Sequence, residues 1–201
     1  MWAKRVCPSK QFINYENQPE VKVTRTPFEG LLIIEPGVYK DSRGYFYESY
    51  NRKSFQAAGI DFEFVQDNQS YSVKNVIRGL HFQQSPYAQT KLVRVLEGTI
   101  LDVAVDLRRD QPTFGKSFTF ELSSQNKLQL LIPKGFAHGF SVLSDAAEIH
   151  YKCDEYYAPE CARGILYRDA DLSIDWKVRK NDEIISDNDL LLPAMNQITF
   201  L

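Results

Sequence analysis

The chain has 201 residues, 43% of them hydrophobic and 25% charged, with a formal net charge of −2. That length buries a full core without disulfide staples, and the balanced charge, with no run of about five or six like charges, argues against nucleic acid as a partner. The longest purely apolar run, LLII at 31–34, is far short of the roughly 20 residues a membrane-spanning helix needs.

Residues 1–20 carry no sustained hydrophobic period and are expected to be an N-terminal extension. No repeat, low-complexity tract or linker interrupts 30–180, so residues 21–201 are expected to form one domain. MWAKRVCPSKQ at the start lacks the apolar stretch of about 7–15 residues that a secretory signal carries. Cys7, Cys153 and Cys161 have no ligand-like spacing, and reduced thiols in a cytoplasmic protein are the simplest account of them.

Alternating apolar and polar residues dominate from there on. GYFYESY (44–50) reads as a strand, and NRKSFQAAG (51–59) as a helix with Asn51 at its N-cap and Gly59 as its stop. VIRGLHFQQ (76–84) reads as the next strand. KLVRVLEGTILDVAVDL (91–107) reads as a hairpin turned at Glu97 and Gly98, and KSFTFEL (116–122) follows the turn residues Pro112 to Gly115. KLQLLIP (127–133) and AEIHYKC (147–153) complete the set, with a second short helix expected near 181–187. Many short strands at close spacing with few helices predict an all-β jelly-roll barrel carrying short peripheral helices.

The three histidines are His81, His138 and His150. Metal-binding barrels of the cupin type resemble one another in two histidines one residue apart followed by a glutamate. Gln83 stands at the partner position after His81, and glutamine is a poor ligand for zinc or iron. No metal site is expected, which leaves His81 as an acid–base group or a packed histidine. Strand parity puts Ile149, Tyr151 and Cys153 inward and Glu148, His150 and Lys152 toward solvent. The same parity groups Ile77, Gly79, His81 and Gln83, with Gly79 leaving room beside the histidine for a ligand. Asp102 lies mid-strand and requires a partner such as a histidine; Asp106 reads as a solvated strand end.

Longer blocks carry a resemblance. FVQDNQS (64–70), VIRGLHFQ (76–83), AQTKLVRVLEG (88–98), LDVAVDLRRDQPTFGK (101–116), IPKGFAHGF (132–140), YKCDEYY (151–157) and DLSIDW (171–176) are similar to the dTDP-4-dehydrorhamnose 3,5-epimerase family, in order and across roughly residues 21–195. The resemblance implies a cupin jelly roll, a homodimer, no cofactor and a nucleotide-sugar substrate of the dTDP-4-keto-6-deoxyglucose type. It implies His81 as base, Tyr151 as the facing acid, Lys91 as the oxyanion stabiliser and Asp189, in SDND, as the carboxylate orienting the histidine. It further implies substrate contacts from Gln66, Asp67 and Asn68, and a diphosphate contact from Arg78. His138, with Asp102 beside it, becomes a second pocket histidine, and Tyr156 the aromatic that stacks on the base. Arg43 and Glu48 match a block that reaches the neighbouring subunit's site.

The chain departs from the family pattern at Ala162, where a glutamate is frequent, at Asn188, where lysine is usual, and at Tyr167 and Ala170 in place of tryptophan and proline. These leave open the nucleotide and whether both C3 and C5 are inverted. Rival readings are an enzyme inverting one carbon, a 3,4-ketoisomerase, whose first motif resembles His-Ala-His where this chain has HFQ, and a non-catalytic sugar-nucleotide binder.

Overall fold

The computed structural model describes residues 20–198. Apart from Glu20, the expected N-terminal extension lies outside the described residues, and Cys7 with it. The strands are β1 (Lys22–Arg25), β2 (Leu32–Glu35), β3 (Tyr39–Asp41), β4 (Gly44–Phe46), β5 (Gln66–Val73), β6 (Ile77–Gln83) and β7 (Lys91–Glu97). They continue as β8 (Thr99–Asp106), β9 (Ser117–Ser123), β10 (Gln129–Ile132), β11 (Phe136–Val142), β12 (Ala146–Cys153) and β13 (Ala162–Gly164). Two short helices, α1 (Arg52–Ala57) and α2 (Asp187–Leu190), lie at the periphery.

Two antiparallel sheets make a jelly roll. One has the order β1-β2-β10-β7-β12-β5 and the other β13-β6-β11-β8-β9, while β3 and β4 form a separate hairpin. Their inner faces meet in a core to which Val93, Leu130 and Ile149 contribute from the first sheet and Ile100, Leu122 and Phe140 from the second. Both outer faces are also covered. Ile165, Leu172 and Trp176 from the chain after β13 pack on Leu101, Val103 and Val105 of β8. Phe55 and Ile60 pack on Leu92 and Leu131 of the first sheet. β8 is therefore buried on both faces, which explains why its sequence, TILDVAVD, is nearly continuous in apolar residues.

Local chemistry sets the short elements. Asn51 caps α1 by accepting from the backbone of Lys53 and Ser54, and Gly59 follows the C-cap Ala58, as the residue pattern predicts. Phe55, fully buried by this helix, contributes about 2–3 kcal/mol of apolar burial. The helix expected at 181–187 instead begins where that stretch ends, with Ser186 as its N-cap: its hydroxyl accepts from Asp189 N. GYFYESY is extended only over 44–46.

The turn at Glu97 and Gly98 is not a hairpin. β7 pairs with β10 and β12, whereas β8 pairs with β9 and β11, so the chain crosses from one sheet to the other there. Gly98 has φ +80°, and a Cβ would run into the Ala146 carbonyl oxygen, so the crossing requires glycine. Asp106 is not solvated either: fully buried, it accepts from Arg108 N, Nε and Nη2 and from Thr113 Oγ1, pinning the loop before β9. Among the described residues no helix is long and apolar enough to cross a membrane.

Candidate active site

β6 and β11 run side by side with His81 opposite His138. The register then slips, and Phe140 pairs with Arg78, so that Gly79 and Leu80 together face Gly139. This extra residue breaks the period of two. Ile77 packs outward with Leu80 and Phe82, and the face-sharing expected of Ile77 and His81 does not occur. Gly79, at φ +121°, has Gly139 Cα and the His138 carbonyl oxygen 2.6 and 2.8 Å from where its Cβ would stand. Its missing side chain makes room for the neighbouring strand, not for a ligand.

His81 Nε2 lies 2.7 Å from Asp189 Oδ1, and Gly79 N donates to Asp189 Oδ2 at 3.4 Å. Asp189 is buried on capped α2, while the His81 side chain is about half exposed, at 49%. A carboxylate so placed holds the imidazole with Nε2–H donated inward, leaving Nδ1 with the lone pair. A second dyad lies alongside, His138 Nε2 2.7 Å from Asp102 Oδ1, both buried. Asp102 thus has a histidine partner, as its mid-strand position requires.

Lys91 and Tyr151 come from adjacent strands β7 and β12, with the Lys91 Nζ 5.8 Å from the Tyr151 ring centre. Burial pushes the lysine below its usual range, while nearby Cys153 and Asp102 pull it back up. Burial also raises Tyr151, with Cys153 adding to the rise and Arg78 opposing it. The Cys153 thiol is pushed up to about 11, chiefly by burial, so it sits neutral beneath the site and accepts from Asn68 Nδ2 at 3.7 Å.

Two cavities open here. The larger, about 600 Å³, is lined by His81, Lys91, His138, Tyr151, Arg78 and Asp189 among others. The smaller, about 410 Å³, is lined by Gln66, Asn68, Gln89, Tyr157 and Arg163, and again by His81, Lys91 and Tyr151. Those three side chains are common to both, so one elongated molecule occupying both compartments passes between an imidazole, a phenol and an ammonium. That set can remove a proton, return one and stabilise a developing negative charge.

The remaining expected residues divide. Arg78, braced by Ser72 Oγ at 3.0 Å, and His138 line the larger cavity, and Gln66 and Asn68 the smaller. Asp67 does not face either cavity. It pairs with Lys152 at 2.9 Å and lies 3.6 Å from His150 on the outer face of the sheet. Strand parity carries the signal: Gln66 and Asn68 pair with inward Cys153 and Tyr151, and Asp67 with outward Lys152. His150 is outward as parity requires but not solvated, at 16% exposure, because residues 47–50 fold over this face: Arg94, opposite His150, donates to Tyr47 Oη.

Tyr156 is 62% exposed and lines neither cavity, whereas its neighbour Tyr157 lines the smaller one. Arg43 and Glu48 also lie away from both cavities, Arg43 bonded to Asp41 and Glu48 accepting from Asn51 Nδ2 at 2.8 Å. Gln83 is a clamp. It donates to the carbonyls of Tyr87 and Tyr156 and accepts from Ala158 N, tying together the loops at the mouth of the smaller cavity. Ala162 and Asn188, two of the departures, line the smaller and larger cavity respectively. Sequence reasoning missed Ile184, Ile185 and Ser70 of the larger cavity and Gln89 of the smaller; Ser70 and Gln89 lie inside the family-like blocks 64–70 and 88–98, whereas the isoleucines lie in none. Among the described residues no group of three histidine, cysteine or acidic side chains is arranged to hold a metal ion.

Comparison with known proteins agrees with this geometry. Residues 25–197 match the family model for dTDP-4-dehydrorhamnose 3,5-epimerase. The dTDP-4-dehydrorhamnose 3,5-epimerase of Shigella flexneri is 51% identical over 85% of this chain and 93% of its own. A crystal structure of the enzyme of that name from Elizabethkingia anophelis superposes with a TM-score of 0.84 at 50% identity, covering 89% of this chain and 98% of that one. The dTDP-6-deoxy-D-glucose-3,5-epimerase of Legionella pneumophila, solved in complex with dTDP-4-keto-L-rhamnose, gives a TM-score of 0.85 at 47% identity, covering 90% and 95%. With its jelly roll, its paired cavities and this similarity along nearly its whole described length, the chain belongs to the dTDP-4-dehydrorhamnose 3,5-epimerase family.

Proposed function

We propose that the protein is an isomerase that inverts C3 and C5 of a dTDP-linked 4-keto-6-deoxyhexose without a metal or other cofactor. The observation that carries this reading is the sharing of His81, Lys91 and Tyr151 by both cavities, with Asp189 2.7 Å behind the histidine. The C4 ketone acidifies the hydrogens on the flanking carbons. His81 Nδ1 takes the proton from one face, and the electron pair moves into the C4 oxygen as an enolate. The Lys91 ammonium stabilises that oxygen, and the Tyr151 hydroxyl gives a proton to the carbon from the other face. Solvent restores both groups afterwards.

Each step fits the groups present. An ordinary histidine titrates near 6.5 and exchanges protons readily at neutral pH. A positioned acid or base contributes on the order of 10²–10⁴-fold, and a preorganised cation at the oxyanion is often the largest single effect. Arg78 takes the diphosphate, which suits a guanidinium, Gln66 and Asn68 contact the nucleotide portion, and Tyr157 in the smaller cavity is better placed than Tyr156 to stack on the base. His138 holds the sugar.

The enzyme works as a cytoplasmic homodimer of a single domain over 21–201. Arg43 and Glu48, away from their own cavities, serve the neighbouring subunit's site. Unpaired Cys153 and Cys161 are consistent with a reducing compartment. The test is incubation with dTDP-4-keto-6-deoxyglucose in D₂O, followed by NMR. Deuterium entering both C3 and C5, unaffected by a chelator, is the expected result. Uptake at one carbon would make the enzyme a mono-epimerase, and uptake at neither would exclude this class of substrate.

A further inference from the structure

The chain that leaves the β3–β4 hairpin, residues 45–50, is fastened to the outer face of the first sheet, over a bed that is polar where its surroundings are apolar. Gln129 of β10 and Arg94 of β7 stand directly opposite each other, and the next pair of those strands on the same face is Leu131 and Leu92. Both polar side chains bond to the segment above them. Arg94 Nη1 donates to Tyr47 Oη at 3.1 Å, and Gln129, only 1% exposed, donates through Nε2 to the Ser49 carbonyl at 2.7 Å. Lys127 Nζ, itself donating to the Ser124 carbonyl at 2.7 Å, sits 3.7 Å from the Tyr45 ring centre and 5.9 Å from that of Tyr47. At the far end Tyr50 has Lys152 Nζ 5.4 Å from its ring centre and packs edge-on against Phe55 and Phe64.

We propose that Arg94, Gln129 and Lys127 are positioning residues: they fix segment 45–49 in one place on the sheet and so set where Glu48 stands for the neighbouring subunit's site. The inference rests on the proposed function, which assigns Arg43 and Glu48 to that site. Glu48 lies between the two bonded residues, Tyr47 and Ser49, and its own carboxylate accepts from Asn51 Nδ2 at 2.8 Å. It is therefore held from both sides and at its tip.

Stability alone does not call for such a bed. Replacing both partners of a buried hydrogen bond by apolar groups of the same shape is close to neutral, and the adjoining Leu92 and Leu131 are apolar. Apolar contact is non-directional, however, and would let the segment slide along the sheet. A guanidinium on a phenol oxygen and an amide on a carbonyl hold it to the narrow range of distance and angle a hydrogen bond allows. A residue that serves another chain's site needs that fixity, because a misplacement of about 1 Å can cost on the order of 10²-fold in rate.

The experiment measures kcat and KM for deuterium uptake from D₂O into dTDP-4-keto-6-deoxyglucose by the full chain and by Tyr47→Phe, Arg94→Met and the double variant. Tyr47→Phe keeps the ring beside Lys127 and loses only the hydrogen bond, so it reads the anchor even where Arg94→Met fails to fold. Each change is expected to lower kcat/KM about tenfold or more, mainly through KM, as for a lost substrate contact. The double variant should fall no further than Arg94→Met alone, since both remove one bond. The deciding readout is the subunit in which the defect appears. Mixed with His81→Ala subunits, a Tyr47→Phe subunit supplies an intact His81 and receives its partner's intact segment. Activity should then return in about a quarter of the sites, one in each mixed dimer. A defect of local folding stays with the chain that carries it and is not relieved by mixing. Wild-type kinetics in both single variants, or a defect that mixing leaves in place while Glu48→Ala subunits do complement His81→Ala, overturns the inference. Failure of Glu48→Ala to complement overturns the shared site, and no uptake by the wild type overturns the proposed function, the inference falling with either.

Discussion

At the residue scale, the arrangement turns on four side chains and the charges they keep. In the proposed mechanism Asp189 fixes the imidazole, so Asp189→Asn is expected to lower kcat by about 10²-fold or more while changing KM little; steady-state kinetics on the folded variant will show the split. In the proposed mechanism the Lys91 ammonium is required at the C4 oxygen, and a lysine whose pKa is lowered by burial loses its proton at a lower pH than the ordinary 10.5. Burial raises Tyr151 and so moves loss of its proton to higher pH, the opposite direction. A kcat/KM profile should therefore fall on the alkaline side below pH 10.5, and Lys91→Arg should move that limb upward.

The resemblance points to His81, Lys91, Tyr151 and Asp189 together, and the structure brings all four to the larger cavity. Asp67 and Tyr156 were harder. Three consecutive strand residues cannot all face one cavity, and the QDN block contains no mark of which two do until Cys153 and Tyr151 are seen to pair with its outer members.

At the element scale, the decisive feature is the slip between β6 and β11. It brings Arg78 and His81 to one cavity although three positions separate them, and it depends on Gly79 lying against Gly139. Gly79→Ala combines overpacking against backbone with an unfavourable positive φ, for a loss of about 3 kcal/mol and a Tm lower by roughly 6–12 °C, checked by calorimetry. Gln83→Leu removes the clamp and leaves two carbonyls and one N–H short of a partner, again about 3 kcal/mol. Alternation located seven of the thirteen strands, β4, β6 to β10 and β12, since the period of two is a local property; β1, β2, β3, β5, β11 and β13 carried no strand expectation. Pairing is not local. Glu97 and Gly98 look like any tight hairpin turn, and only the burial of β8 on both faces, visible as its near-continuous apolar run, hints that it leaves the sheet of β7.

At the scale of the whole molecule, two covered sheets carry a site whose two compartments meet at His81, Lys91 and Tyr151. The hairpin β3–β4 and the residues after it stand apart from that site, with Arg43 and Glu48 on them. In the proposed homodimer these residues complete the neighbour's cavity. Mixing His81→Ala with Arg43→Ala subunits, each nearly inactive alone, should then restore activity in about a quarter of the sites, because half the dimers are mixed and each holds one intact site. Activity assays after subunit exchange will show it; no recovery would confine each site to one chain.

The central claim is that protons move on opposite faces of the ring, His81 on one and Tyr151 on the other. The most direct test follows the stereochemistry of exchange in D₂O with Tyr151→Phe and His81→Ala. Tyr151→Phe should still wash deuterium into the substrate while leaving its configuration unchanged, because His81 removes and returns the proton on the same face. His81→Ala should show neither exchange nor inversion. Inverted product from Tyr151→Phe at the wild-type rate, or continued exchange in His81→Ala, would contradict the account.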